Sequence, residues 1–120
     1  MKMKGHSFHK RCVYALQGVA SAFRREISFR IELMFGAAAS LFTAWLSPPL
    51  LWVALVVVMI ALVLAAELLN TALEQMLDGL HPGQAEFVRI AKDCAAAAVL
   101  VFSVASVVVF VLMLLDVLKH

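Results

Sequence analysis

Five polar side chains line one face of a helix-forming segment in the middle of the chain. They recur at spacings of three and four residues and are Glu67, Asn70, Thr71, Glu74 and Asp78. This spacing places side chains on one face of an α-helix. No lysine or arginine occurs between residues 31 and 88, so the three carboxylates would repel one another without a cation. Magnesium is a natural candidate, because it binds through one or two carboxylates together with phosphates.

The position of Glu67 leaves a simpler interpretation open. Glu67 directly follows the apolar run 50–66, so the charges could mark only the point where a helix leaves a membrane. A carboxylate buried at depth in a membrane costs about 2.5 kcal/mol or more. The absence of a nearby cation and the presence of Asn70, a poor helix former, weigh against that interpretation.

A second charged cluster lies at the start of the last apolar stretch and consists of Glu86, Arg89, Lys92 and Asp93. Its members also fall at three- and four-residue spacings, which favours a capped helix start with weak local ion pairs. If both clusters meet at one membrane face, the first would offer metal ligands and a base. The second would offer a cation for phosphate.

The composition identifies the kind of scaffold that must position these residues. Of the 120 residues, 64% are hydrophobic and 15% are charged, and the mean hydropathy is +0.97. A typical soluble domain is about 45–50% apolar and about 25% charged. A chain of this size cannot bury so much apolar surface as a soluble monomer, and disordered chains are poor in these residues. The net charge of +2 predicts no nucleic-acid partner. We therefore expect a single membrane domain over residues 1–120 that forms oligomers.

Three apolar stretches are predicted to cross the membrane as helices, since about 20 residues span a hydrocarbon core of about 30 Å. The predicted spans are 29–47, 49–69 and 86–115, with the second helix continuing into the cytoplasm to residue 80. Pro48 and Pro49 separate the first two spans and predict a tight helical hairpin. A break at His81-Pro82-Gly83 precedes the third.

The segment before the first span, about residues 8–30, is predicted to be an amphipathic helix in the membrane interface. Its apolar residues repeat at helical spacing: Cys12, Leu16, Val19, Phe23 and Ile27. Seven of the ten lysines and arginines lie in the first thirty residues. By the positive-inside rule, the N-terminus and segment 70–93 are cytoplasmic, and the C-terminus is outside. Headgroup contact and retention alone would also explain these cations.

Established nucleotide and metal motifs are absent from the sequence. It contains no G-x-x-x-x-G-K-[ST], G-x-G-x-x-G or H-E-x-x-H. The four histidines show no metal-ligand spacing, and Cys12 and Cys94 are predicted to be reduced thiols.

The ordered set of motifs resembles one family. Residues 67–78, Glu-Leu-Leu-Asn-Thr-Ala-Leu-Glu-Gln-Met-Leu-Asp, resemble the signature of the prokaryotic integral-membrane diacylglycerol kinases. Tyr14-x-x-x-Gly18, Glu26-x-x-Phe29-Arg30-x-Glu32 and Ala91-Lys92-Asp93 are similar to further motifs of that family. The resemblance extends from about Tyr14 to Leu115. One departure is Arg89-Ile90, where the family often has Gly-Arg.

The resemblance implies an all-α membrane protein: a homotrimer with three transmembrane helices and an N-terminal interfacial helix in each subunit. It implies a location in the bacterial inner membrane. The implied reaction is transfer of the ATP γ-phosphoryl group to the primary hydroxyl of diacylglycerol, with Mg²⁺ as cofactor. ATP and a membrane lipid are the implied partners.

The resemblance also implies roles for individual residues. Glu67 would be the catalytic base, supported by Asn70, and the magnesium ligands would be Glu26 and Glu74. The implied nucleotide-binding residues are Tyr14, Glu26, Glu74, Gly83, Gln84, Ala85, Lys92 and Asp93. The implied lipid-binding residues are Phe23, Arg30, Glu32, Trp45, Ser47 and Glu67.

Three alternatives remain open at this stage. An undecaprenol kinase of the same fold would share the whole motif set. A small proton-coupled transporter would use Glu67 as an intramembrane acid but would leave Glu74 and Lys92–Asp93 without a role. A non-catalytic membrane assembly protein would tolerate Glu67→Gln.

Overall fold

The computed structural model describes Gly5 and residues 7–119, which form four α-helices. These are α1 (Phe8–Arg25), α2 (Ile27–Leu46), α3 (Leu50–Leu80) and α4 (Glu86–Lys119). The prediction of an all-α protein is confirmed over the described part of the chain. Helices α2, α3 and α4 are each long and apolar enough to cross a membrane.

Helix α1 joins α2 through a single extended residue, Glu26. The side chain of Ser7 caps the start of α1 by accepting a hydrogen bond from the Lys10 amide at 3.3 Å. The helix ends at Arg25, whereas the sequence predicted an end near residue 30. Glu26 adopts φ −117° and ψ 111°, so the chain changes direction there before α2 begins.

The side chain of Arg30 holds this junction in place. Its Nη1 donates to the carbonyl oxygen of Phe23 at 2.7 Å and to that of Arg24 at 3.3 Å. The last carbonyls of a helix have no partners within the helix, and basic side chains often satisfy them. Arg30, on the first turn of α2, thus caps the end of α1 and fixes the angle between the two helices.

Replacing Arg30 by alanine is expected to lower the free energy of unfolding by about 1–2 kcal/mol, because it removes charge-assisted hydrogen bonds to two carbonyls. Thermal unfolding in detergent would measure the change. Arg11→Ala, which removes an exposed cation from the other end of α1, is the matched control. Equal unfolding temperatures for the two variants would show that Arg30 does not secure the junction.

Helix α3 lies in the middle of the structure and packs against each of the other three helices. Phe29 of α2 and Met113 of α4 are the largest fully buried side chains among the described residues. Gly36 permits the close approach of α2, because a Cβ at this position would lie 3.0 Å from Cγ2 of Ile60. Many large apolar side chains face outward, as expected for a protein surrounded by hydrocarbon rather than water.

An apolar cavity of about 640 Å³ lies between α2 and α4, with α3 contributing its remaining wall. The rings of Phe42 and Phe110 meet across it with centroids 5.7 Å apart. Glu32 is the one charged residue in its lining and belongs to the first turns of α2. The cavity therefore extends from a carboxylate into the apolar part of the bundle.

At the opposite end of the bundle, a hydrogen bond joins the start of α3 to the end of α4. Nε1 of Trp52 donates to Oδ2 of Asp116 at 2.9 Å. The short turn before α3 contains Ser47 in a left-handed conformation, with φ 52°. The hairpin and the C-terminal end of α4 therefore lie together, away from the polar face of α3.

Candidate active site

Four carboxylates, from α2, α3 and the junction before α2, lie at one end of the bundle. Glu67 lies within electrostatic range of Glu32, Glu26 and Glu74. Glu26 stands at the junction of α1 and α2, Glu32 follows on α2, and the other two lie on α3. The packing of α2 against α3 thus brings together acids that are up to 48 positions apart in the chain, as the numbering of Glu26 and Glu74 shows. We call these four residues the carboxylate cluster.

Glu67 is the buried member of the carboxylate cluster, with 5% of its surface exposed. It lies where the apolar run of α3 gives way to polar residues, as the sequence predicted. Thr71 donates a hydrogen bond at 3.0 Å to the backbone carbonyl of Glu67, not to its carboxylate. A buried carboxylate beside other acids is well placed to take up a proton.

Asn70 contacts Glu74 and presents a second polar atom to the interior. Its Nδ2 donates to Oε1 of Glu74 at 3.1 Å. Its Oδ1 is buried and, within the described part of the chain, has no hydrogen-bond partner. An unsatisfied buried acceptor costs about 1–3 kcal/mol, so this oxygen is suited to a donor that arrives with a substrate or during the reaction.

A second polar region lies where the loop 81–85 connects α3 to α4. It is a cavity of about 680 Å³, which we call the loop cavity. Among its lining residues are five of the predicted nucleotide-binding residues: Gly83, Gln84, Ala85, Lys92 and Asp93. The lining does not include Tyr14, Glu26 or Glu74. Tyr14 lies on α1, and the other two belong to the carboxylate cluster.

Lys92 links the loop cavity to the carboxylate cluster. Its Nζ donates to Oδ1 of Asp78 at 2.7 Å, which forms an ion pair between α4 and α3. Lys92 also lies within electrostatic range of Glu74. The sequence places Asp78 on the acidic face of α3, but the family resemblance assigns it no role in the site. The sequence signal for its position is the spacing of four residues from Glu74, which places both side chains on one face of α3.

Arg89 forms two ion pairs within α4. It binds Glu86 in the first turn and Oδ2 of Asp93 at 3.0 Å one turn later. These are the local pairs that the three- and four-residue spacings predict. Asp93, which the resemblance places in the nucleotide site, is therefore paired with a cation in this structure.

The predicted lipid-binding residues are spread over three helices, from Phe23 on α1, along α2 to Ser47 just after its end, and to Glu67 on α3. Glu32 and Glu67 come together, and Phe23 lies exposed on α1 beside the junction. Trp45 and Ser47 lie at the far end of α2 from Glu32, about 20 Å along the helix at 1.5 Å per residue. The structure therefore brings them into contact with neither Glu67 nor Glu32. Arg30 is engaged with the end of α1.

No group of three histidine, cysteine, aspartate or glutamate side chains is arranged to hold a metal among residues 5 and 7–119. Magnesium commonly binds through one or two carboxylates and completes its shell with water and substrate phosphates. Glu26 and Glu74 both act electrostatically on Glu67, and two carboxylates are as many as such a magnesium site takes from the protein.

Sequence similarity links the chain to one group of known proteins. The family model described as prokaryotic diacylglycerol kinase matches residues 13–114. A diacylglycerol kinase of Synechocystis sp. is 43% identical over 98 residues, which cover 80% of this chain and 55% of that protein. A diacylglycerol kinase of Haemophilus influenzae is 34% identical over 88 residues, or 73% of this chain and 75% of the relative. A diacylglycerol kinase of Escherichia coli is 29% identical over 105 residues, which cover 88% of this chain and 86% of that relative.

The matched region contains every predicted site residue, from Tyr14 on α1 to Asp93 on α4. The chain spans about half the length of the Synechocystis relative but most of the other two. With three helices able to cross a membrane, it is a bacterial membrane protein, and the kinase class predicted from its motifs is confirmed. The chain belongs to the prokaryotic diacylglycerol kinase family.

Proposed function

We propose that the protein transfers the γ-phosphoryl group of ATP to the primary hydroxyl of diacylglycerol and releases phosphatidic acid and ADP. The observation that carries this proposal is the buried carboxylate of Glu67, which lies on α3 between Val63, in the lining of the apolar cavity, and Asp78, in the lining of the loop cavity. A lipid hydroxyl can approach from the membrane, and a nucleotide can approach from water. The names of the relatives support the same reaction.

Glu67 acts as the general base in this proposal. Its carboxylate takes the hydroxyl proton as the oxygen attacks the phosphorus, which is a role suited to a positioned acid at the membrane edge. Once protonated, Glu67 has one O–H to donate. The unpartnered Oδ1 of Asn70 lies one turn away on the same helix face. Asn70 thus stabilises the protonated base with one end of its amide and orients Glu74 with the other.

Lys92 and the loop cavity bind the nucleotide. Phosphoryl transfer depends mainly on positioning and on neutralising phosphate charge, and Lys92 supplies a point charge on a flexible stem. Glu26 and Glu74 would hold magnesium together with the phosphates, and the metal would supply positive charge beside the transferring group. Tyr14, the loop residues 83–85 and Asp93 complete the nucleotide site.

The lipid lies along α1 and α2, with its headgroup near Glu32 and Phe23. Trp45 and Ser47 are too distant for the reacting hydroxyl and contact the acyl chains near the other end of α2. Arg30 contributes by fixing α1, because its guanidinium binds the carbonyls of Phe23 and Arg24.

Three copies of this single-domain chain form a homotrimer, and α1 lies in the membrane interface. Exposed apolar side chains occur on all three long helices, and the cavity between α2 and α4 leaves room for a neighbour or a lipid. The junction at Glu26 and the loop 81–85 lie at the same end of the bundle. That end is cytoplasmic, and the C-terminus is outside.

A radiolabelled-ATP assay with purified protein in mixed micelles tests this function. We expect label in phosphatidic acid when diacylglycerol is present. Undecaprenol in matched micelles provides the competing substrate. Preferential labelling of undecaprenol would show that this alcohol, and not diacylglycerol, is the preferred lipid substrate. Proton-coupled transport by reconstituted vesicles without ATP, together with no labelled lipid, would contradict a kinase.

A further inference from the structure

The loop cavity contains a second cation besides Lys92. Arg89 and Lys92 both line it, and their spacing of three residues places them on the same face of α4. The side chain of Arg89 is 60% exposed and that of Lys92 is 37% exposed. A ligand that enters the cavity therefore meets the guanidinium without any movement of the helices.

Both cations are neutralised by carboxylates of the same cavity. Arg89 is bound by Glu86 and Asp93, and Lys92 is bound by Asp78. Besides His81, the lining presents three carboxylates and two cations, so a polyanion can bind to these cations only by displacing their carboxylates. Exposed ion pairs contribute little to stability, and this exchange is therefore accessible to a highly charged phosphate chain.

The order of the residues along α4 gives the direction of such a ligand. Lys92 lies nearer the carboxylate cluster, since Glu74 acts on it electrostatically. Arg89 lies about 4.5 Å closer to the loop, at 1.5 Å per residue. A triphosphate along α4 with its terminal phosphate near Lys92 would place its inner phosphates beside Arg89.

We propose that Arg89 is a further nucleotide-binding residue, which exchanges Glu86 and Asp93 for the inner phosphates of ATP. A planar guanidinium with several donors can bind phosphate oxygens in pairs, which an ammonium cannot do. The inference rests on the proposed function, because it takes ATP as the occupant of the loop cavity. Arg89 then binds the inner phosphates of the triphosphate, and Lys92 binds the terminal phosphate.

The proposal is tested by steady-state kinetics of two variants, one that removes the positive charge of Arg89 and one that removes the negative charge of Glu86. Arg89→Gln is expected to raise the KM for ATP about tenfold, since a charge-assisted contact is lost, with kcat within about twofold of wild type. Arg89→Lys should recover part of the loss. Glu86→Gln is expected to lower the KM for ATP, because it removes a competitor for the guanidinium. A merely structural ion pair would not move KM in opposite directions in the two variants.

Direct binding separates this inference from the reaction itself. Titration of detergent-solubilised protein with a fluorescent ATP analogue should show weaker binding for Arg89→Gln and unchanged binding for the control Lys119→Gln, at the other end of α4. Wild-type protein that binds the analogue through Arg89 but transfers no phosphate would contradict the kinase and leave the inference standing. Unchanged affinity in Arg89→Gln, or a change in the KM for diacylglycerol alone, would overturn the inference.

Discussion

Replacing Glu67 by glutamine is expected to lower kcat by about 10²- to 10⁴-fold, the usual contribution of a general base, while the helical bundle remains folded. Glutamine keeps the shape of the side chain but cannot accept the hydroxyl proton. It also removes a buried charge from the carboxylate cluster, so the unfolding temperature should be unchanged or higher. Single-turnover phosphoryl transfer and thermal unfolding in the same detergent would measure the two effects.

Asp116→Asn is the matched control for the Glu67 substitution. It converts another carboxyl group to an amide, but at the end of the bundle where Trp52 binds it. Turnover should stay within about twofold of wild type, and any loss should be in stability, since a hydrogen bond to a charged group is weakened. Near-normal turnover in Glu67→Gln would exclude this residue as the base.

Replacing Glu74 by glutamine is expected to raise the magnesium concentration for half-maximal activity by about tenfold or more, because a neutral amide oxygen is a weaker ligand for a hard cation than a carboxylate. The new side chain still has an Oε1 that can accept the hydrogen bond from Nδ2 of Asn70. The orientation of the residue is therefore preserved while its charge is removed. A magnesium titration at saturating ATP and lipid would measure the shift.

Glu86→Gln serves as the control for the metal titration. Glu86 lines the loop cavity but is paired with Arg89 rather than placed in the carboxylate cluster. Its magnesium midpoint should match that of wild type. If Glu74→Gln gave the same midpoint as well, the metal would have to be held by other groups.

The long helices were predictable because the length of an apolar stretch and the prolines at its ends are both local features of the sequence. The Pro48–Pro49 turn and the loop around Pro82 separate α2, α3 and α4 as expected. The break at Glu26 was not predictable, because no glycine or proline marks it and apolar periodicity continues from Phe23 to Ile27. It depends on a contact from Arg30 back to α1, which a local pattern does not contain.

The candidate site was predictable to a similar extent. Helical spacing places Glu67, Asn70 and Glu74 on one face, and the structure agrees. The partner of Asn70 and the pairing of Lys92 with Asp78 depend on how α4 is aligned against α3. That alignment is set by packing and by the loop 81–85, not by either helix alone. The catalytic and metal roles came from resemblance to the family, and they remain predictions for the variants above.

Asp93 and Asp116 flank the apolar part of α4, and the distance between them defines a hydrophobic thickness for the protein. The uncharged stretch 94–115 rises about 33 Å, close to the hydrocarbon core of about 30 Å. Asp116 is tied to α3 through Trp52 at one boundary, and Asp78 of α3 is tied to Lys92 at the other. A thinner bilayer would therefore tilt α3 and α4 together as one rigid pair. The depth of Glu67 in the membrane would then follow bilayer thickness, and with Glu67 as the proposed base, lipid chain length would control how easily the substrate hydroxyl reaches it.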